Sequence, residues 1–387
     1  MDIREKIKKV AVLGAGDMGH GIAEVCAIAG YEVWMRDIRE EFVERGMARI
    51  KESLEKLEGK GKVDDKKVLS RLHPTTDLEE AVKDADIIIE AIPEVMDLKK
   101  KVFSECDEIA KPDCIFASNT SSMSITELAK ATEREDKFLG LHFFNPVVLM
   151  RLVEVIRGEK TGDEAVKTCV EFVKSIGKTP VVVRKDVPGF IANRVVAPGM
   201  VLLFSILEKG IATPEEIDAT MRKIGLPIGP CELADYTGLD VNYHVMKYYE
   251  ETVSPDYKPP EFLEKMVKEG NLGKKAGKGL YDWSAGRPQI DLSIATDKVN
   301  PMDFSIVEIN EACKLVEMCV ADPEDIDTAL KLGYSRPLGP FELAKSIGAE
   351  QIEKRLEELA KQFGKKIFEP AEFIKSGKLK AVLEENQ

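Results

Sequence analysis

The fold is decided by residues 9–19 near the N-terminus, whose sequence is KVAVLGAGDMG. The apolar run at residues 10–13 predicts a buried strand, which leads directly into a turn containing three glycines. A helical pattern follows over residues 21–29, and residues 31–37 predict a second strand that ends on Asp37. A strand, a Gly-x-Gly-x-x-Gly turn, a helix, a second strand and an acid, in that order, are typical of a βαβ unit that binds a dinucleotide.

The residues of this turn have separate physical tasks. Gly14 permits the tight exit from the strand, Gly16 lets the backbone approach a pyrophosphate, and Gly19 lets the helix pack close to the sheet. The N-terminus of the helix offers unpaired N–H groups and the positive end of its dipole to the phosphates. An ordinary glycine-rich turn is the alternative, and the complete order of elements argues against it. We therefore predict that Gly14, Gly16, Met18 and Gly19 bind the cofactor.

Asp37 indicates which dinucleotide is bound. It follows Gly14 by 23 positions, close to the spacing of about 20 expected for an acid that accepts a hydrogen bond from the ribose 2′-hydroxyl. A carboxylate at this place would repel a 2′-phosphate, so the sequence favours NAD over NADP. Arg36 and Arg39 flank the acid, and an arginine facing the ribose would favour NADP instead.

Composition and charge limit the classes of function. Of the 387 residues, 44% are hydrophobic and 32% charged, which is typical of a globular protein with a sizeable core. A net charge of −13 without a basic stripe argues against nucleic acid as a partner. The seven cysteines form no Cys-x-x-Cys pair, so we expect neither a metal site nor disulfides. We find no signal peptide and no membrane span, and we expect a cytoplasmic protein.

The pattern along the chain changes once. Strand and helix signals alternate up to about residue 185, which predicts a doubly wound sheet, whereas helical periodicity dominates beyond it. We therefore predict an α/β Rossmann-like doubly wound sheet domain followed by two tandem all-α domains. The boundaries we expect are 1–186, 187–287 and 288–387.

The division of the helical part rests on an internal repeat. PEEIDA at residues 214–219 recurs as PEDIDT at residues 323–328, and GPCELA at residues 229–234 recurs as GPFELA at residues 339–344. Two matched blocks at nearly one offset indicate that one helical unit is present twice.

Polar residues at the ends of predicted strands mark a candidate catalytic site. The run SNTSS at residues 118–122 follows a buried strand, which is where open α/β sheets bind ligands, although a helix N-cap explains part of it. His142 ends another strand, and Glu154 lies between apolar residues of the next one. A lone histidine is more often structural, but a buried carboxylate needs a partner. The two together are typical of a general base and its orienting acid.

Residues 9–285 closely resemble the L-3-hydroxyacyl-CoA dehydrogenases, and no enoyl-CoA hydratase module accompanies them. Glu94 and Lys99, beside Glu90-Ala91-Ile92, belong to the matching set. The longer matching stretches are residues 14–19 (GAGDMG), 118–122 (SNTSS), 142–146 (HFFNP), 152–156 (LVEVI), 186–194 (DVPGFIANR), 229–233 (GPCEL) and 273–281 (GKKAGKGLY).

The resemblance implies an activity: NAD-dependent oxidation of an (S)-3-hydroxyacyl-CoA to the 3-ketoacyl-CoA, and the reverse, in fatty acid metabolism. It implies that His142 is the general base and that Glu154 orients it. It also implies that Ser121 and Asn193 hold the substrate and that Ser53 and Lys60 meet its CoA portion. The residues that it places in the cofactor site with Asp37 are Glu94, Lys99, Ser121 and Asn145.

Two other functions use related scaffolds. A non-enzymatic NAD-binding protein, as in lens crystallins, would not require His142, Glu154, Ser121 and Asn193 together. A dehydrogenase of the 6-phosphogluconate type uses a catalytic lysine, which the His–Glu pair fits poorly.

Relatives with one helical domain generally dimerise through it, so we expect the second copy to pack on the first and the chain to be a monomer or weak homodimer.

Overall fold

The computed structural model describes residues 3–59, 61 and 63–385. These residues form two compact units. Unit 1 contains the chain up to Ala192 together with Cys319–Gly339, and unit 2 contains Asn193–Met318 and the chain from Pro340 onward.

Unit 1 is built on a single sheet whose strands are mostly parallel. Its strands are β1 Lys9–Leu13, β2 Glu32–Arg36, β3 Leu72–Thr75, β4 Ile87–Glu90, β5 Ile115–Ser118, β6 Phe138–Phe143, β7 Leu152–Arg157 and β8 Thr179–Val183. Their order is β3-β2-β1-β4-β5-β6-β7-β8, and only β6 and β7 pair antiparallel. The chain moves outward from β1 to β3 and then returns to β4 on the other side of β1. The carboxyl ends of β1 and β4 therefore flank the crevice where such sheets bind ligands.

Helices cover the sheet. Those before residue 192 are α1 Ile3–Lys6, α2 Gly19–Ile28, α3 Glu40–Glu58, α4 Asp65–Leu69, α5 Leu78–Val82, α6 Met96–Ile109, α7 Ile125–Ala129 and α8 Asp163–Ser175. The central strands read as continuous apolar runs because helices lie on both faces, and every residue of β4, β5 and β6 is buried. The predicted Rossmann-like sheet is confirmed.

The edge strand β3 and the short helices α4 and α5 were not predicted. β3 reads LHPT and buries only Leu72, so it lacks the apolar run that identified the other strands. Its proline is tolerated because an edge strand need not donate every ladder hydrogen bond.

The rest of the chain is helical, as predicted. Its helices are α9 Ala192–Glu208, α10 Pro214–Lys223, α11 Pro230–Thr237, α12 Leu239–Thr252, α13 Glu261–Lys268, α14 Pro301–Glu317, α15 Pro323–Gly333, α16 Pro340–Ile347, α17 Ala349–Phe363, α18 Glu372–Lys375 and α19 Lys378–Glu385. Short 3-10 turns lie at Glu135–Lys137, Pro255–Tyr257, Lys274–Ala276, Leu292–Ile294 and Lys366–Phe368. Within the described ranges, no helix is long and apolar enough to span a bilayer.

The two matched blocks fold alike. Asp218 in α10 is buried beside Gly229, where an added Cβ would lie 2.2 Å from the Asp218 carboxyl carbon. Asp327 in α15 lies beside Gly339 in the same way, with an added Cβ 2.3 Å from Oδ1. In both copies, a glycine before the next helix leaves room for an aspartate of the preceding one.

The second copy is divided between the two units. Its helix α15 contacts β7 and β8 of unit 1, where the Arg184 guanidinium pairs with Asp322. In unit 2, α14 of the second copy packs on α9 of the first, and Arg194 Nε donates to Glu311 Oε1 at 2.6 Å. The division into three domains at residues 186 and 287 stays a prediction.

Candidate active site

Two of the three glycines in the turn after β1 have no room for a side chain. Gly14 has a φ of +105°, and a Cβ there would lie 2.5 Å from the carbonyl oxygen of Ala91. A Cβ on Gly19 would lie 1.8 Å from the carbonyl oxygen of Gly14, so Gly19 closes the turn on itself. The sequence predicts that Gly19 lets the helix approach the sheet, and in the structure the close approach is to Gly14, directly after β1. A Cβ on Gly16 would meet no atom of the described residues within 4 Å, which leaves the backbone there open to a ligand.

Asp37 lies beside this turn. Its Oδ2 accepts the N–H of Ala15 at 2.8 Å and its Oδ1 accepts the N–H of Ile38 at 2.7 Å. The flanking arginines have other contacts, since Arg36 Nε donates to the carbonyl oxygen of Thr76 at 3.2 Å and Arg39 pairs with Glu41 at 3.3 Å. These contacts favour the carboxylate, rather than an arginine, as the group that meets the ribose.

A buried ion-pair network lies behind the carboxyl ends of β4 and β5. Lys99 is almost fully buried, and its Nζ lies 2.6 Å from Glu90 Oε1, 3.1 Å from Glu94 Oε2 and 3.1 Å from the carbonyl oxygen of Ile92. Burial raises the pKa of Glu90 despite the opposing charge of Lys99. The ammonium of Lys99 is therefore held by protein oxygens and fixes Glu94 in place.

The SNTSS run is tied to the same network. Ser118 Oγ donates to Glu90 Oε2 at 2.7 Å, and Thr120 Oγ1 donates to Glu94 Oε1 at 2.9 Å. The Ser121 N–H donates to Glu94 Oε1 at 2.8 Å, while its hydroxyl is 3.4 Å from the same oxygen. That longer hydroxyl contact is weak, and it leaves the Ser121 side chain available to a ligand.

His142 and Glu154 are in contact, as predicted from the sequence. They are directly paired across β6 and β7, and His142 Nδ1 lies 2.6 Å from Glu154 Oε2. Both side chains are buried, and Glu154 Oε1 also accepts the N–H groups of Ile191 at 3.1 Å and Ala192 at 2.8 Å. Since Nδ1 is committed to Glu154, Nε2 is the ring nitrogen that would meet a substrate.

Two aromatic rings enclose His142, and the sequence analysis did not identify either as part of the site. The ring of Phe144 lies 4.5 Å and that of Phe190 5.7 Å from the imidazole, between centroids. Phe190 has a φ of +53°, an uncommon conformation for a bulky residue, just before the two N–H groups that bind Glu154. The sequence signal was present, because both phenylalanines lie within matching stretches of the resemblance, HFFNP and DVPGFIANR.

The remaining predicted site residues have different surroundings. Ser53 Oγ donates to the buried Glu24 Oε1 at 2.6 Å. Asn145 is exposed and forms a cis peptide bond with Pro146. Asn193 is the second residue of α9 and belongs to unit 2. Lys60 lies outside the described residues.

Two models of one protein family match the chain. The family model described as 3-hydroxyacyl-CoA dehydrogenase, NAD binding domain, matches residues 9–187. The model described as the C-terminal domain of the same enzymes matches residues 189–283 and again 304–382, as the internal repeat predicts.

The chain is similar to several curated proteins and solved structures. It is 44% identical over 280 residues to a probable 3-hydroxybutyryl-CoA dehydrogenase of Deinococcus radiodurans, covering 71% of this chain and 100% of that protein. It is 40% identical over 288 residues to the human mitochondrial hydroxyacyl-coenzyme A dehydrogenase, covering 72% and 91%. The crystal structure of 3-hydroxybutyryl-CoA dehydrogenase from Escherichia coli K12 aligns with a TM-score of 0.88 and 31% identity, covering 98% of this chain and 99% of that chain.

Proposed function

The chain belongs to the 3-hydroxyacyl-CoA dehydrogenase family, and from that premise we propose that it oxidises (S)-3-hydroxyacyl-CoA to 3-ketoacyl-CoA with NAD, and catalyses the reverse. The observation that carries this proposal is the buried pair of His142 and Glu154, 2.6 Å apart. The pair lies on the same sheet as the glycine turn, so a base and a dinucleotide site share one scaffold.

The described residues fit NAD. The Gly14–Gly19 turn, including Met18, and the N-terminus of α2 would hold the pyrophosphate, because the backbone is open at Gly16 and the positive end of the α2 dipole lies at this turn. Asp37 would accept a hydrogen bond from the ribose 2′-hydroxyl, and Glu94, Lys99 and Asn145 would line the cofactor site, with Lys99 also holding Glu94 in position. When bound, NAD supplies the acceptor for the hydride that leaves C3 of the substrate.

His142 would remove the proton of the 3-hydroxyl through Nε2. As that proton arrives, the imidazole becomes a cation in a buried site, where an unpaired charge is costly. Glu154 offsets this cost, since its Oε2 accepts the Nδ1–H and its charge lies 2.6 Å from the ring. The N–H groups of Ile191 and Ala192 hold the carboxylate in that orientation.

The substrate contacts follow from the resemblance and are part of the proposal. Ser121 and Asn193 would bind the 3-oxygen and the thioester end, and Ser53 and Lys60 would meet the CoA portion. Ser121 is the best supported of these, because its backbone N–H is anchored on Glu94 while its hydroxyl makes only a long contact.

The proposal extends to location and assembly. We propose a cytoplasmic protein, supported by cysteines that form no disulfide among the described residues. We also propose a monomer or weak homodimer, supported by the contact of the two helical copies through Arg194 and Glu311.

The activity is tested by the loss of NADH absorbance when acetoacetyl-CoA is added. His142→Gln should fold and bind NADH but lose about 10²–10⁴-fold in kcat, the usual contribution of a general base. Glu154→Gln should lower kcat as well, because an amide orients the ring without stabilising its charge.

Two outcomes contradict the proposal. A wild-type protein that binds NADH, seen by fluorescence, without turnover on any 3-ketoacyl-CoA would favour the crystallin-like alternative. Near wild-type kcat in His142→Gln would show that another group removes the proton.

A further inference from the structure

Phe144 links the catalytic histidine to the rest of unit 1. It follows His142 by two residues and lies just after β6, which ends at Phe143, and its ring packs beside that of His142. Their ring centroids are 4.5 Å apart and the planes are inclined by 49°. Phe144 is only half-buried, and the orientation of its ring therefore depends on what packs against it.

The end of α15, in the second helical copy, packs against Phe144. A Cβ on Gly333 would lie 3.1 Å from Phe144 Cε1 and 2.9 Å from Leu152 Cδ2, so a larger side chain would displace the phenyl ring. The next residue, Tyr334, places its ring edge-on to Phe144, with centroids 6.5 Å apart and planes inclined by 70°. This T-shaped arrangement is favourable for aromatic pairs.

The helix that presents these two residues is anchored on the sheet. α15 contacts β7 and β8, and the N–H of Arg184, just after β8, donates to the carbonyl oxygen of Val320 at 2.8 Å. Arg184 Nη1 also lies 2.9 Å from Asp322 Oδ1, directly before α15. The contact with Phe144 is therefore part of unit 1 and is not a flexible extension.

The same turn in the first copy has a different surrounding. By the offset of 110 residues between the GPCELA and GPFELA blocks, Tyr334 corresponds to Ile224 and Ser335 to Gly225. Both Ser335 and Gly225 have a positive φ, +53° and +105°, so the backbone turn is shared. Ile224 is 63% exposed, and it provides a matched control for Tyr334.

We propose that Gly333 and Tyr334 are positioning residues for catalysis: they hold the Phe144 ring against His142, and the second helical copy thereby takes part in the reaction. This inference rests on the proposed role of His142 as the base. Gly333 supplies the space for the phenyl ring and Tyr334 supplies the edge that limits its rotation.

The test compares steady-state kinetics of single and double variants of the full chain. Tyr334→Ala should lower kcat about tenfold, because small displacements of a catalytic group are costly. The KM for NADH and the thermal midpoint should stay unchanged, which separates positioning from a loss of stability. Tyr334→Phe keeps the ring and should keep kcat, and Ile224→Ala should behave as wild type.

A double variant tests whether Tyr334 affects His142 through Phe144. If Tyr334 acts through Phe144, then Phe144→Ala with Tyr334→Ala should be no slower than Phe144→Ala alone. Gly333→Val should lower kcat as Tyr334→Ala does, through direct displacement of the phenyl ring.

The outcomes that overturn the inference are separate from those that overturn the proposed function. Wild-type kcat in Tyr334→Ala, or multiplicative losses in the double variant, would show that the second copy does not position the site. If His142→Gln is inactive in the same assay, the role of the base stands even when this inference fails.

Discussion

Glu24 is a buried acid in unit 1 that has no place in the proposed reaction. It lies on α2 and is inaccessible to solvent, with Oε1 accepting the Ser53 hydroxyl at 2.6 Å. Within the part of the chain that the structure describes, Oε2 has no hydrogen-bond partner. Burial raises the pKa of Glu24 to about 7, against smaller opposing effects of Ser53 and the Lys178 ammonium. The acid is therefore neutral below that pH and becomes a poorly compensated charge above it.

This raised pKa predicts a pH-dependent stability. The folded carboxyl holds its proton up to about pH 7, whereas the unfolded one loses it near its ordinary value, so the free energy of unfolding falls as pH rises between the two. Glu24→Gln removes the ionisation and should be more stable than wild type by about 2–3 kcal/mol above pH 7. The difference should vanish at low pH, where Glu24 is neutral.

Thermal midpoints of wild type and Glu24→Gln at about pH 5 and about pH 8 check this prediction. Glu44→Gln on α3 is a suitable control because Glu44 is exposed in the same unit. A stabilisation by Glu24→Gln of equal size at both pH values would show that the ionisation is not its cause.

Residue-scale features were predictable only in part. The contact of His142 with Glu154 followed from two neighbouring strands and an acid that had to be buried. The packing of Gly333 and Tyr334 on Phe144 was not predictable, because it joins distant parts of the chain and no periodic pattern marks it. The left-handed φ of Phe190 had no signal either, since a phenylalanine rarely adopts it.

At the scale of elements, the turn after β1 is tied to the end of β2. Asp37, just after β2, accepts the N–H of Ala15 within the turn, so the acid and the backbone that we propose to bind the phosphates are held together. Strand β1 was predictable because a buried parallel strand is apolar throughout. The start of helix α2 was predictable because the glycines before it mark a tight turn. The edge strand β3 carries neither signal.

We predict from this arrangement that NADH is preferred over NADPH. A 2′-phosphate would lie near the Asp37 carboxylate, and repulsion between charges at such distances is about 1–4 kcal/mol. The ratio of kcat/KM for the two cofactors should therefore be at least about fivefold. Asp37→Ser should reduce that ratio, whereas Arg39→Ser should leave it unchanged. A preference of the wild type for NADPH would mean that an arginine faces the ribose.

At the scale of the whole molecule, the duplicated helical unit distinguishes this chain from relatives that carry one copy. Its second copy contributes α15 to unit 1 and α14 to unit 2, where many residues of α14 are buried. The duplication was predictable from the repeated PEEIDA and GPCELA blocks. The division of the second copy between two units was not predictable. The sequence of α15 resembles that of α10, which lies in unit 2, yet α15 packs on the sheet of unit 1.

We predict that the second copy replaces a partner subunit. A fragment ending at residue 286 would lack α14 and α15, exposing apolar surface on α9 and on β7, so it should dimerise, aggregate or be an unstable monomer. The intact chain should be a monomer or weak dimer. Light scattering with activity assays on both proteins provides the measurement, and a stable, active, monomeric fragment would contradict the prediction.

The split of the second copy also has a consequence for synthesis on the ribosome. The last strand of the sheet, β8, ends at Val183, but the helix that packs on it, α15, begins only at Pro323. At translation rates of about 5–20 residues per second, the sheet emerges on the order of ten seconds before its covering helix. During that interval the surface of β7 and β8 that α15 later covers, including Leu152, is exposed to solvent. The nascent chain is then most accessible to chaperones and most prone to aggregation.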